Sequence, residues 1–124
     1  MVNLETTYMG LKLRNPVIVS SSGLTSTIEN IQNIEKAGAG AVVLKSLFEE
    51  QINFEAGNLV TQSQSAYPEA EDYVRNYVKN NSVDSYLELI ENAKKKVSIP
   101  VIASVNCVDA NDWTDFATKI EKAG

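Results

Sequence analysis

Apolar residues occur in short, nearly unbroken runs separated by stretches of helical spacing. Val17-Ile18-Val19, Ala41-Val42-Val43-Leu44 and Val101-Ile102-Ala103-Ser104-Val105 lack the apolar/polar alternation of a half-exposed strand. They read as strands covered on both faces, as in a parallel sheet. Between them, Ile28, Ile31, Ile34 and Ala37 form a helical stripe entered through Thr25-Ser26-Thr27 and closed by Gly38. A second stripe, Val83, Tyr86, Leu87, Ile90, Ala93 and Val97, predicts a helix starting near Ser82 and ended by Ile99-Pro100. A third, Trp113, Phe116, Ala117, Ile120 and Ala123, follows the N-cap candidate Asp109. Ahead of all these, Leu4–Tyr8 and Leu11–Leu13 flank Met9-Gly10 as a small, half-exposed β-hairpin. Asn15-Pro16 then breaks the pairing, because proline has no N–H to donate.

The pattern weakens between Phe48 and Asn81. Glu49 to Glu55 reads as an acidic helical or irregular stretch, Gly57 to Pro68 as a polar loop, and Glu69 to Lys79 as a short helix bearing Tyr73 and Tyr77. An excursion of this length between regular units is usually functional or disordered, and the functional reading is preferred here. Strands alternating with helices predict an α/β fold, either an open doubly wound sheet or a TIM (β/α)8 barrel. The N-terminal hairpin, as a plug for one end, favours the barrel. The pentapeptide Ile-Glu-Lys-Ala-Gly occurs at Ile34–Gly38, where it hands over to a strand, and again at Ile120–Gly124. Residues 1–124 are therefore expected to be the N-terminal segment of a single barrel domain, with about three β/α units plus the hairpin, cut before a fourth strand.

Composition narrows the function. The 124 residues are 44% apolar, enough for a core, and carry a net charge of −5. Basic residues are scattered except for Lys94-Lys95-Lys96, whose place at a helix end suits the dipole. A nucleic-acid partner, which needs a basic face, is not expected. The single cysteine, Cys107, cannot form an internal disulfide and reads as an inert thiol in a reducing compartment. The N-terminus lacks the pattern of a signal peptide, and no apolar run approaches the ~20 residues of a membrane span. The expectation is a cytoplasmic chain with no membrane partner. With no histidine, the histidine-based triads and zinc motifs are absent, and no Walker or Gly-x-Gly-x-x-Gly sequence occurs. Asp109 and Asp112 fit helix capping better than a catalytic carboxylate pair.

In either parallel architecture, ligands bind beyond the carboxyl ends of the strands. That rule selects Ser21-Ser22-Gly23, Lys45-Ser46, and Ser104 to Asn106. Small residues in the first cluster let a flat ligand approach the backbone. Lys45 supplies a cation for an electron-rich ring or a carboxylate, and Asn106 can donate and accept at a heteroaromatic edge. Simpler readings stand beside these: a strand-to-helix turn at Ser20 to Gly23, helix-entry chemistry at Asn106, and a Schiff-base amine at Lys45 in a barrel enzyme without flavin.

The clusters also carry a resemblance. Leu13-Arg14-Asn15-Pro16-Val17, Ser21-Ser22-Gly23-Leu24-Thr25, Ala41 to Ile52 with Lys45-Ser46-Leu47-Phe48-Glu49-Glu50-Gln51-Ile52, and Ile99 to Asn106 resemble the N-terminal part of the dihydroorotate dehydrogenase family, nearest its bacterial dihydroorotate dehydrogenase-like branch. The resemblance implies an FMN-dependent (β/α)8 barrel that oxidises a CH–CH bond, in the family the conversion of dihydroorotate to orotate in pyrimidine biosynthesis. It implies that Ser21, Ser22 and Gly23 line the flavin, and that Lys45 lies against the ring and the substrate carboxylate with Ser46 beside it. Ser104 and Asn106 fall where the third strand meets the flavin. The implied partners are a pyrimidine-like small molecule and, through an exposed sheet edge, a further copy of the chain or a complementary piece. The family's proton-abstracting Cys or Ser lies on a later loop, and Cys107 does not match it. The family's Asn-x-x-Gly-x-x-Asn loop is replaced here by Gln62-Ser63-Gln64-Ser65-Ala66-Tyr67-Pro68-Glu69, so the substrate stays open. On this reading the segment alone is inactive.

Overall fold

The hairpin is built from β1 (Thr6–Tyr8) and β2 (Leu11–Leu13), antiparallel with Thr6 opposite Leu13 and Tyr8 opposite Leu11. Met9 and Gly10 both adopt positive φ, 48° and 80°, as tight two-residue hairpins require. Of the six strand residues only Leu13 is buried. The computed structural model describes residues 2–63 and 68–124.

Beyond the hairpin, strands and helices alternate. β3 (Ile18–Val19) leads through a 3-10 turn at Gly23–Thr25 into α1 (Ile28–Lys36), which Thr27 caps by accepting the Asn30 N–H. β4 (Ala41–Val43) and β5 (Leu47–Phe48) follow, then the helices α2 (Glu49–Ser63) and α3 (Pro68–Lys96). β6 (Val101–Ile102), β7 (Val105–Asn106) and α4 (Ala110–Ala123) complete the order, with Asp109 capping α4 by accepting the Asn111 N–H at 2.7 Å. β3, β4 and β6 form a parallel sheet in that order, and β5 pairs in parallel with β7. The two pieces share one ladder: Leu44 N–H donates to the Ile102 carbonyl and Leu47 N–H to the Ser104 carbonyl, each at 2.9 Å. The fold is thus mixed α/β with small parallel sheets, and the all-parallel reading of the three apolar runs holds.

Helices cover one face of the sheet. Ile31, Val42, Leu44, Tyr86, Ile90, Ala93 and Ile99 form the main core, with Ile31, Val42 and Leu44 fully enclosed. A second cluster, Ile52, Ala56 and Val78, joins α2 to α3. This cluster explains the largest departure from the sequence reading. Residues 57–63, expected as a loop, are helical because Ile52 and Ala56 bury against α3, and packing outweighs the polar composition that follows. The expected loop's remaining part, Gln64–Tyr67, lies outside the described residues. The two separate helices expected around Asn80 are one: no proline or glycine interrupts Asn80-Asn81-Ser82, and Val78, Val83, Tyr86 and Ile90 bury in succession along it. Tyr73 and Tyr77 on α3 and Trp113 and Ala117 on α4 are exposed, whereas Phe116 is buried. The third strand, expected unbroken from Val101 to Val105, is interrupted at Ala103-Ser104.

The carboxyl end of α1 is held by the residues just before β3. Arg14 donates from Nε to the Ala39 carbonyl (2.9 Å) and from Nη2 to the Glu35 carbonyl (2.6 Å), and Asn15 Nδ2 donates to the Gly38 carbonyl (2.7 Å). The Glu35 carbonyl also accepts the Gly38 N–H at 3.0 Å, and a cation at this end of the helix suits the dipole. Gly38 takes φ +99°, the left-handed turn that ends the helix. A Cβ at Gly40 would lie 2.2 Å from the Asn15 carbonyl oxygen, so only glycine allows this approach. Gly40→Ala is expected to destabilise the fold by about 1–3 kcal/mol, the usual cost of overpacking, read as a lower urea midpoint at unchanged slope.

Glu35 ties α1 to the entrance of β6. Its Oε1 accepts from Ser98 Oγ (2.6 Å), Ser98 N–H (2.7 Å) and Ile99 N–H (3.3 Å). The Ser98 hydroxyl, then the Ser98 N–H, hold its pKa below the ordinary 4.5; desolvation opposes them, and the Ile99 N–H and the Arg14 charge add smaller help. A lowered folded-state pKa means the unfolded chain binds the proton more readily, so this stabilisation is present above the unfolded pKa and fades as pH falls through the folded one. Acid titration of stability should therefore fall more steeply below about pH 4.5 in the native chain than in Glu35→Gln. Identical acid limbs would remove Glu35 from the linkage.

Candidate functional site

Because β3, β4 and β6 are parallel, the segments that follow them emerge at one end of the sheet. Ser20 to Gly23 follow β3, Lys45 and Ser46 lie between β4 and β5, Ser104 lies between β6 and β7, and Asn106 ends β7 opposite Phe48. All the residues singled out in the sequence share this rim.

Three of them touch. Ser21 Oγ lies 3.1 Å from Ser46 Oγ and also accepts the Ser46 N–H at 2.9 Å. Ser46 Oγ lies 2.6 Å from Ser104 Oγ. A line of hydroxyls thus crosses the three neighbouring strand paths. Ser22 stands apart from it and caps the 3-10 turn: its Oγ accepts the Leu24 N–H, and its own N–H and carbonyl are taken up by the buried Thr25 hydroxyl. The turn reading of Ser20 to Gly23 is therefore correct for Ser22, while Ser21 looks along the rim. Gly23 is exposed and a Cβ there would meet nothing within 4 Å, so its backbone is open to a ligand from outside. The Lys45 N–H donates to the Thr25 carbonyl at 3.3 Å, which fastens this residue to the turn. Its side chain is exposed and makes no hydrogen bond or ion pair with the described residues. Asn106 is exposed as well.

Tyr86 is the residue that sequence reasoning missed as a part of the rim. It sits on the apolar stripe of α3 and packs in the core as expected, but its hydroxyl donates to the Ser104 carbonyl (3.0 Å) and accepts the Ser104 N–H (2.9 Å). A buried tyrosine must place its hydroxyl somewhere, and that requirement is the one signal the sequence offered. Burial raises the Tyr86 pKa, with the Ser104 N–H acting in the opposite direction. Tyr86, Lys45, Ser46 and Phe48 also border a cavity of about 480 Å³ whose other walls come mainly from α2 and α3; Ser21, Gly23, Ser104 and Asn106 do not line it. Such a volume falls within the roughly 300–1,000 Å³ of small-molecule sites. Cys107 is half-buried. Among the described residues, no group of three His, Cys, Asp or Glu side chains could hold a metal, and no helix is long and apolar enough to cross a membrane.

The rim's donor set fits a flat, polar heteroaromatic ring: an exposed cation with no partner among the described residues, hydroxyls at hydrogen-bonding spacing, an amide, and an open glycine backbone. No family model matches the chain. The catalytic subunit of dihydroorotate dehydrogenase B (NAD(+)) from Thermoplasma acidophilum is 27% identical over 124 residues, covering 100% of this chain and 39% of that protein. The same subunit from Thermoplasma volcanium is 30% identical, covering 100% of the chain and 39% of its own length, and that from Methanocaldococcus jannaschii is 26% identical, covering 96% and 38%. The chain thus spans about 39% of the length of the relatives it matches. From end to end it is similar to the first two fifths or so of the catalytic subunits of dihydroorotate dehydrogenase B.

Proposed function

We propose that these residues form the N-terminal segment of an FMN-dependent (β/α)8-barrel oxidoreductase that acts on a CH–CH bond of a small, pyrimidine-like ring. The observation that carries this reading is the gathering of Ser21, Gly23, Lys45, Ser46, Ser104 and Asn106 at the carboxyl end of one parallel sheet, with the Lys45 ammonium unpaired among the described residues. Relatives that are dihydroorotate dehydrogenases by name support it. Bound FMN supplies the acceptor for the hydride. Ser21 and Gly23 would border the ring from the first strand's turn, whose shape Ser22 holds, while Ser46, Ser104 and Asn106 would meet it from the second and third. The Lys45 ammonium favours negative charge on whatever ring or carboxylate lies beside it, the electrostatic role expected where charge accumulates during the reaction. The neighbouring proton leaves to a base supplied from outside these 124 residues. Cys107, which follows β7, is not assigned that role.

A Schiff-base role for Lys45 is disfavoured by its exposure, because such lysines depend on desolvation or a cationic neighbour to lose their charge. The 124-residue piece by itself invites a second proposal. The β3-β4-β6 sheet has two unpaired edges, and Val17 and Leu24 beside β3 are 57% and 65% exposed. Bare edges next to apolar surface pair with other chains.

Two measurements test these readings. Full-length protein should purify yellow or take up FMN stoichiometrically, and Lys45→Ala should slow flavin reduction on the order of 100-fold. Colourless protein that rejects FMN overturns the flavin assignment, and unchanged kinetics removes Lys45 from it. The isolated 124-residue chain should elute by light scattering as a dimer or larger species. A stable monomer at moderate concentration ends the association proposal.

A further inference from the structure

Tyr86 stands where the parallel ladder is interrupted. β6 stops at Ile102 and β7 begins at Val105, and in the gap the Tyr86 hydroxyl meets both the N–H and the carbonyl of Ser104. The same carbonyl accepts the Leu47 N–H at 2.9 Å, so one phenol and one strand neighbour hold this peptide from two sides. Ser104 then presents its Oγ to Ser46 at 2.6 Å, and Ser46 faces Ser21 at 3.1 Å.

The hydroxyl line has a counting property. Its two Oγ–Oγ contacts use two of the three hydroxyl hydrogens, and one hydrogen is left to donate outward. If the line runs from Ser104 toward Ser21, Ser21 donates to the outside and Ser104 accepts; if it runs the other way, their roles exchange. Ser21 can serve in either sense because the Ser46 N–H takes only one of its lone pairs. Successive hydroxyls in such a line polarise one another, so its two ends are coupled.

We infer that Tyr86 is a positioning residue for the rim. By clamping the Ser104 peptide it keeps the Ser21–Ser46–Ser104 line in register, and the line offers a bound heteroaromatic edge one donor and one acceptor whose order the ligand selects. The clamp stands on the geometry alone; its effect on a ligand rests on the flavin reading. Tyr86→Phe deletes the hydroxyl and keeps the ring in the core.

Amide hydrogen exchange on the full-length protein reads the clamp without any ligand. In Tyr86→Phe, the Ser104 and Leu47 amides should exchange about tenfold faster or more, while the Val42 and Leu44 amides, bonded to the Pro100 and Ile102 carbonyls, keep their protection. Uniform acceleration of all four, or no change, overturns the inference. FMN titration reads the consequence. Tyr86→Phe and Ser104→Ala should each weaken binding about tenfold, and the double variant should be no weaker than Ser104→Ala, since Tyr86 acts through Ser104. Additive losses, or undiminished affinity in Tyr86→Phe, overturn the positioning role. Failure of the unaltered protein to bind FMN defeats the flavin reading instead, and hydrogen exchange still decides the clamp.

Discussion

Val42 and Leu44 are completely enclosed, in one core with Ile31 of α1 and with Tyr86 and Ile90 of α3, and this burial sets the register of the central strand path. Strand side chains alternate between faces, so a slip of one residue would put Val43 and Lys45 against the helices. A lysine forced into that layer would need a partner it does not have, at a cost of several kcal/mol. The register that buries the two aliphatic residues is therefore the one that leaves Lys45 exposed at the carboxyl end, level with the Thr25 carbonyl that receives its N–H. Core packing and the presentation of the cation are one constraint seen from two sides.

The two ends of the sheet are organised by different chemistry. At the amino end, Arg14 and Asn15 satisfy the last carbonyls of α1, Gly40 admits the Asn15 backbone, and Glu35 gathers the amides of Ser98 and Ile99 before β6. Each of these contacts joins segments distant in sequence through a charged or amide group, and together they fix how α1 and the strands enter the sheet. The carboxyl end carries small hydroxyl side chains in place of large ones. Serines at 21, 46 and 104 are short enough to bond across neighbouring strand paths.

The excursion between β5 and β6 is where the chain builds something of its own. α2 and α3 close on each other through Ile52, Ala56 and Val78, and α3 continues into the main core through Tyr86, Ile90 and Ala93. One long helix thus links the small cluster, the sheet and the rim, and the cavity of about 480 Å³ opens along its side. The ion pair of Lys79 with Asp112, at 2.7 Å and partly exposed, joins α3 to α4 and adds at most about 1 kcal/mol. Relatives that are similar along the whole chain carry the dehydrogenase name.

The alternation of unbroken apolar runs with helical stripes was enough to read parallel strands, the Thr27 and Asp109 caps, the Gly38 terminator and the cluster of polar residues at the carboxyl ends. Those features are local: they depend on side-chain period, φ preference and capping chemistry within a few residues. Three matters needed the tertiary structure. Residues 57–63 are helical because α3 lies beside them, and α3 is continuous because its buried stripe crosses the weak helix formers at 80–82. Where the third strand is divided, a tyrosine 18 residues earlier bonds to the Ser104 N–H and carbonyl. The three serines share hydrogen bonds because parallel pairing sets strands from distant parts of the chain side by side. Composition and spacing cannot encode such contacts, since each is decided by which surfaces meet once the apolar faces have been buried.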